Sequence, residues 1–225
     1  MGYTPIRIAN MALASFGAAP IQTFENGAAD ATPAGSTVAL LYPLVIRGLF
    51  AEYPWNFAKV TVPLDQLAET PLSDGLLPSG WQLAFALPDD FIGLPERILA
   101  NNRYPDGPET RFEIQGATVY TNQLALWAIG TVYVDEADWP DYFSAAAVAC
   151  FAAEIYSPIT GNGPRLADLR ADAWGSPQEN RLGGKLGNAR RIDSRANPSR
   201  VITHNPLIDV RTATIEVIPT GATYP

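Results

Sequence analysis

STVALLYPLVIRGLFAEYPWNFAKVTVPL, residues 36 to 64, changes its period half-way along. In the first half Val38, Leu41, Tyr42, Val45 and Leu49 recur at i, i+3, i+4, i+7 and i+11, the stripe of a helix that Ser36 is placed to cap. Pro43 removes the bond to the Ala39 carbonyl, which predicts a kink there or a start nearer to Pro43. Pro54 ends the helix at about Tyr53. The stretch from Asn56 to Leu64 then carries the β-branched and aromatic residues of a strand.

Outward from this stretch, each side follows its own period. Toward the N-terminus Thr4 is a cap, Pro5 suits the first helical position and Gly17 the residue past the end. Ile6, Ala9, Leu13 and Phe16 share a face, with Arg7 and Asn10 to one side, and a Gly/Ala/Pro loop or arm joins the two helices from about Ala18 to Gly35. Toward the C-terminus, Trp81 to Leu87, Arg97 to Ala100, Arg111 to Gln115, Thr118 to Thr121 and Leu126 to Val134 are further short strands between Pro, Gly, Asn and Asp turns. Gly116-Ala117 fits a two-residue hairpin turn led by glycine.

Helix returns at Asp138, read as a cap, and runs to about Tyr156 ahead of Pro158. Tyr142 to Tyr156 is apolar nearly all round, which predicts burial all round and a subunit neighbour on one side. It is shorter than the roughly 20 residues of a bilayer crossing. A weaker helical region from Pro164 to about Ser194 is broken at Gly175-Ser176-Pro177 and at Gly183, Gly184 and Gly187. Residues 196 to 225 are punctuated by proline and carry too little apolar mass for a core. The expected class is α+β. A bundle of about four helices (1–54 and 138–195) holds a small, mostly antiparallel β-rich insertion (55–137) and an extended C-terminal arm (196–225).

With 225 residues and 47% apolar side chains the chain can bury a sizeable core, while 17% charged residues, against roughly 25% in a typical domain, leave less surface defended by charge. The net charge of −8 is uneven: residues 1–160 hold 6 basic and 17 acidic side chains, and residues 161–225 hold 9 and 6. An acidic body argues against a protein that grips DNA by neutralising phosphates, and allows one past which DNA slides. One cysteine and one histidine leave no disulfide framework and no His/Cys zinc cluster. The N-terminus matches a signal peptide poorly, so a soluble protein made in the cytosol is expected.

Motifs for chemistry fail on their residues. Gly184-Lys185 has Glu179 and Leu186 where a P-loop needs Gly and Ser or Thr, and Gly161-Asn162-Gly163 has Leu166 in place of the third glycine of a dinucleotide turn. Asn102, Asp106-Gly107 and Glu113 follow an EF-hand spacing, but Tyr104 takes a ligand position. The acidic group Asp135, Glu136, Asp138 and Asp141 reads first as helix-start capping, and otherwise as a site for a hard cation or the acid/base pair of a small hydrolase. Asp89-Asp90 reads as a turn, Cys150 as a core side chain, lone His204 as a surface or interface residue, and Trp55 with Phe57 as a plug where helix meets sheet. No catalytic, cofactor or metal site is assigned.

Several blocks, in order, resemble one family. They are Ile8-Ala9-Asn10-Met11-Ala12-Leu13 with Phe16-Gly17 and Pro20-Ile21, Leu41-Tyr42-Pro43, Glu52-Tyr53-Pro54-Trp55-Asn56-Phe57-Ala58, Trp81 with Phe85-Ala86-Leu87-Pro88-Asp89-Asp90-Phe91, Tyr133-Val134, Ile159-Thr160-Gly161 and Arg190-Arg191-Ile192-Asp193. Together they look like the tail tubular protein A or head-to-tail adaptor (connector) family of short-tailed bacteriophages. The resemblance implies a homo-oligomeric ring of about twelve copies between portal and tail nozzle. Double-stranded DNA would pass through its lumen, with no catalysis, no cofactor and no membrane, and the ring would be assembled in the host cytoplasm and carried in the neck of the virion. The glycines at 183, 184 and 187 and the tail after Ala196 depart from the family pattern.

On that reading Arg181, Lys185, Arg190, Arg191, Arg195, Arg200 and His204, with Arg211 beyond them, are the candidate portal or subunit interface. The hairpin residues Arg111, Glu113, Gln115, Gly116, Thr118 and Tyr120 are the candidate contact with a tail protein. The competing classes are the hydrolase built on residues 135–141 and a monomeric carbohydrate- or protein-binding module.

Overall fold

The structure, a computed structural model, describes residues 3–23, 32–69, 75, 77, 79–101, 111–161, 163–179 and 183–196. Its class is α+β. Among the described residues there are five helices, in keeping with the expected bundle of about four: α1 (Pro5–Ser15), α2 (Pro33–Glu52), α3 (Asp141–Thr160), α4 (Leu166–Trp174) and α5 (Gly184–Asp193). The weaker helical region after Pro164 is two short helices parted at the expected break of Gly175-Ser176-Pro177, while Gly187 lies inside α5 without breaking it.

Local signals placed α1 well. Thr4 Oγ1 accepts from the Arg7 amide at 3.3 Å, Pro5 opens the helix, and Gly17 takes φ +81°. The buried face is Ile8, Ala9, Ala12 and Leu13, which shares Ala9 and Leu13 with the expected stripe, and Ile6 and Phe16 pack half-buried beside it where α1 meets α3. Asn10 then pins the following segment: its Nδ2 donates to the Ile21 carbonyl at 3.0 Å and its Oδ1 accepts from the Ile21 amide at 2.9 Å. Of the loop to α2, residues 24–31 lie outside the described residues.

The cap of α2 is Thr32, not Ser36, accepting from the Gly35 amide at 3.0 Å with Pro33 at the first helical position. The helix therefore starts ten residues before Pro43 and runs through it. Pro43 is on the exposed face, where solvent can serve the freed Ala39 carbonyl. In α3, Asp138 does not cap. It belongs to a 3₁₀ turn (Glu136–Asp138), and Pro140 stands at the cap position without a side-chain bond. The helix also continues past Tyr156 through Pro158 to Thr160, since a proline in the last turn disturbs few further bonds.

α3 is the axis of the bundle. It packs on α1, α2, α4 and α5, and eleven of its residues are buried. Most of its apolar surface is thus covered within one chain, and exposed positions such as Ala145 and Glu154 remain open to the expected subunit neighbour.

Between α2 and α3 the described residues form two antiparallel sheets rather than one. The first has the order β1 (Lys59–Pro63), β7 (Trp127–Thr131), β4 (Arg97–Leu99). The second has the order β2 (Asp65–Gln66), β3 (Leu83–Ala86), β6 (Thr118–Thr121), β5 (Phe112–Gln115). Phe85 and Val119 from the second sheet meet Ile98 and Ala128 from the first, with Leu64, Phe91 and Leu126, in a core separate from that of the helices. Gly130 on β7 lies under the Phe91 ring, where a Cβ would fall 2.5 Å from a ring carbon. β5 and β6 form the expected hairpin, Phe112 to Thr121 in register, with Gly116 at φ +62°.

The α4–α5 corner depends on two glycines. Gly175 (φ +93°) and Gly184 (φ +66°) pass so closely that a Cβ on Gly184 would lie 2.6 Å from the Gly175 nitrogen and 2.7 Å from the Ala173 carbonyl oxygen. Gly184→Ala therefore meets a left-handed backbone and a backbone clash together. It is expected to destabilise by about 3 kcal/mol, whereas Gly187→Ala, inside α5, is expected to change stability by less than about 1 kcal/mol. Urea unfolding of the two variants checks this.

Candidate functional site

The block Pro54-Trp55-Asn56-Phe57-Ala58 forms the corner where bundle meets sheet. Trp55 is fully buried, its Nε1 donates to the Leu49 carbonyl at 2.8 Å, and its ring lies 4.9 Å from those of Tyr53 and Phe143. Phe50, Phe57, Tyr133 and Trp139 extend the aromatic cluster, so the plug reading of Trp55 and Phe57 holds. Below it Asp193, from the last turn of α5, is buried. Its Oδ2 accepts from the Asn56 amide and from Asn56 Nδ2, both at 2.9 Å, and its Oδ1 accepts from the Tyr142 hydroxyl at 2.8 Å.

This corner decides the fate of the basic residues. Arg190 pairs with Glu52 at 2.6 Å and lies 5.9 Å over the Tyr53 ring, while Lys185 pairs with Asp172 at 2.8 Å. Both are committed within the chain, and Arg190 is half-buried. Arg191 and Arg195 are exposed and remain open to a partner. Arg181, Arg200, His204 and Arg211 lie outside the described residues, as does the arm from 197 onward.

The acidic group does not converge. Asp135, Asp138 and Asp141 are exposed, but Glu136 is buried, its Oε1 accepting from Tyr42 at 2.9 Å and Tyr133 at 2.7 Å. Neither the 3₁₀ turn nor α3 has a side-chain cap bond, so the capping reading fails for Asp135 and Asp138; Asp141, in the first turn of α3, sits where the helix dipole favours it. Tyr42, 94 residues from Glu136, carried no sequence signal of this contact.

Burial first, and then the bond to Glu136, pushes the Tyr133 hydroxyl above its ordinary value; burial and Asp193 do the same to Tyr142. A phenol whose folded pKa is raised contributes stability that is complete below the unfolded value of about 10 and is lost as pH climbs beyond it. Thermal midpoints are expected to fall from about pH 10 upward, and the double variant Tyr133→Phe/Tyr142→Phe to fall less steeply over the same range. Cys150 is buried, and burial pushes its thiol up to about 12, which suits a core side chain and not a nucleophile.

The hairpin forms one edge of the second sheet. Glu113 accepts from Trp81 Nε1 at 3.0 Å and from Gln115 Nε2 at 2.8 Å, bonds that hold its carboxyl below the usual range. Arg111, Gln115 and Gly116 are exposed, Thr118 and Tyr120 are half-buried, and Thr121 Oγ1 ties back to the Arg111 carbonyl at 2.9 Å. Phe112 on its edge strand is 41% exposed and Leu124 beyond it 87%. Asp89-Asp90 forms an exposed turn.

The helices also leave apolar surface uncovered. On α2, Leu40 is 75% and Leu44 70% exposed, and with Pro43, Gly48 and Ala51 they form a ridge whose one charge is Arg47. By length and composition α2 and α3 would each suffice to cross a membrane, α3 being longer than the Tyr142–Tyr156 run. α3 is a core helix, and α2 buries Val38, Tyr42, Ile46, Leu49 and Phe50 against the bundle. Beside α3 and α4 lies a half-open groove of about 770 Å³, between Glu52, Glu154, Pro164, Ala167, Arg170 and Trp174. Among the described residues no three His, Cys, Asp or Glu side chains gather to hold a metal ion.

No protein-family model matches the chain, and no curated protein matches it. The surfaces themselves carry the functional argument.

Proposed function

We propose that the protein is a structural head-to-tail joining protein, an adaptor ring between the portal and the tail nozzle of a bacteriophage. Its copies associate side by side around a conduit for double-stranded DNA, and it works in the neck of the virion after assembly in the host cytoplasm. The observation that carries this reading is the α2 ridge: a helix already anchored in a complete bundle presents Leu40 and Leu44 to solvent, a cost a monomer gains nothing from. The net charge of −8 agrees with a lumen that does not hold the passing duplex. The β5–β6 hairpin, with Phe112 and Leu124 exposed, suits contact with a tail protein, and Arg191 and Arg195 suit contact with the portal.

The hydrolase reading loses support from Glu136, which is buried under two phenols away from the exposed Asp135 and Asp138. A monomeric binding module has one feature in its favour, the groove beside Trp174.

Light scattering and electron microscopy of the purified chain, alone and with portal protein, test the proposal. Rings of about twelve copies that cap the portal are expected. A chain that stays monomeric at micromolar concentration with portal present rejects it.

A further inference from the structure

Two surfaces of this chain fit each other. The α2 ridge places Leu40, Leu44, Arg47, Gly48 and Ala51 at i, i+4, i+7, i+8 and i+11, about 17 Å along one helix face at 1.5 Å per residue. Gly48 has open space beyond it, so another backbone can come close there. The groove offers Ala167, Arg170, Ala171 and Trp174, one face of α4 about 11 Å long, continued by Gly163-Pro164, with Glu154 of α3 on the opposite wall. Helix-in-groove docking uses this spacing of anchors.

We infer that the α2 ridge of one copy seats in the α3–α4 groove of the next, with Leu40 and Leu44 against Trp174 and Pro164 and Arg47 beside Glu154. The inference rests on the ring reading and names its contact. Charge selects the occupant and its direction. Of the two groove carboxylates Glu52 is already paired with Arg190, so Glu154 is the one left for the single cation of the ridge. Arg170 on the α4 wall repels Arg47, which confines it to the Glu154 side. Ridge and groove are different patches, so the contact is heterologous and propagates from copy to copy, closing into a ring where the rotation allows.

The test uses the full chain. Leu44→Asp, an exposed position whose replacement spares the core, is expected to raise the concentration needed for assembly about a hundredfold. Arg47→Glu and Glu154→Arg are each expected to raise it about tenfold, and the charge-swapped double variant to return it to the wild-type value. Oxidation of the Leu44→Cys/Ala167→Cys protein is expected to give a ladder of cross-linked copies. If wild-type rings form but all three single variants assemble like wild type, the contact is wrong and the ring reading stands. Cross-links to the portal instead of to a second copy overturn it. So does assembly that survives Leu44→Asp and is lost on deletion of residues 197–225. A wild-type chain that never assembles removes both readings at once.

Discussion

Trp55→Ala is expected to lower stability by about 4 kcal/mol and the thermal midpoint by roughly 10 °C, the largest effect of any single side-chain truncation proposed for this chain. Trp55 is fully buried, and its ring is in contact with Tyr53, Phe57 and Phe143, residues contributed by the loop after α2, the turn before β1 and α3. Truncation opens a cavity between elements that cannot all collapse toward it, and leaves the Leu49 carbonyl without its 2.8 Å donor. Trp55→Phe keeps most of the ring volume and loses the donor, so about half the effect is expected. Urea unfolding followed by circular dichroism separates the two variants. Equal losses for both would assign the effect to the hydrogen bond alone.

Asp193→Ala is expected to cost about 3 kcal/mol. The carboxylate is buried and joins three distant parts of the chain: α5, the turn at Asn56 and the first turn of α3 at Tyr142. Its removal leaves the half-buried Asn56 amide and Tyr142 hydroxyl without acceptors, and donors held away from water without partners are the expensive part of losing a hydrogen bond. Tyr142→Phe removes a donor together with its need for an acceptor, so about 1 kcal/mol is expected there. The difference is measured by urea unfolding at pH 7. An Asp193→Ala variant as stable as Tyr142→Phe would mean that water replaces the carboxylate.

These two residues also mark how far the sequence can be read. Local signals placed α1, the end of α2 near Tyr53 and the β5–β6 hairpin, because Thr4, Pro54 and Gly116 act within a few residues of themselves. The start of α2 was missed because Pro33-Ala34-Gly35 carries no apolar period, although Thr32-Pro33 is a cap followed by a favoured first residue. The division into two sheets was not legible. It rests on pairs such as Lys59 with Thr131, and no property of either residue selects a partner 72 positions away. The same holds for Asn56 with Asp193, and for the groove, whose walls come from α3, α4 and the end of α2. The apolar periodicity of α3 marks a helix that needs cover, but such a pattern does not say whether the cover comes from the same chain. For the interface candidates, side-chain type marked Lys185 and Arg190 as basic without revealing that Asp172 and Glu52 already hold them.

Because Lys59 lies opposite Thr131, the chain leaves the helical bundle and rejoins it at neighbouring points. The described residues between them meet the bundle at those two adjacent stems and at Ile92, which is buried in the helical core, so the β5–β6 turn at Gly116 can lengthen or be exchanged while that third anchor stays in place. Chimeras cut at that pair would keep the bundle only if the incoming segment supplies an apolar side chain in the place of Ile92.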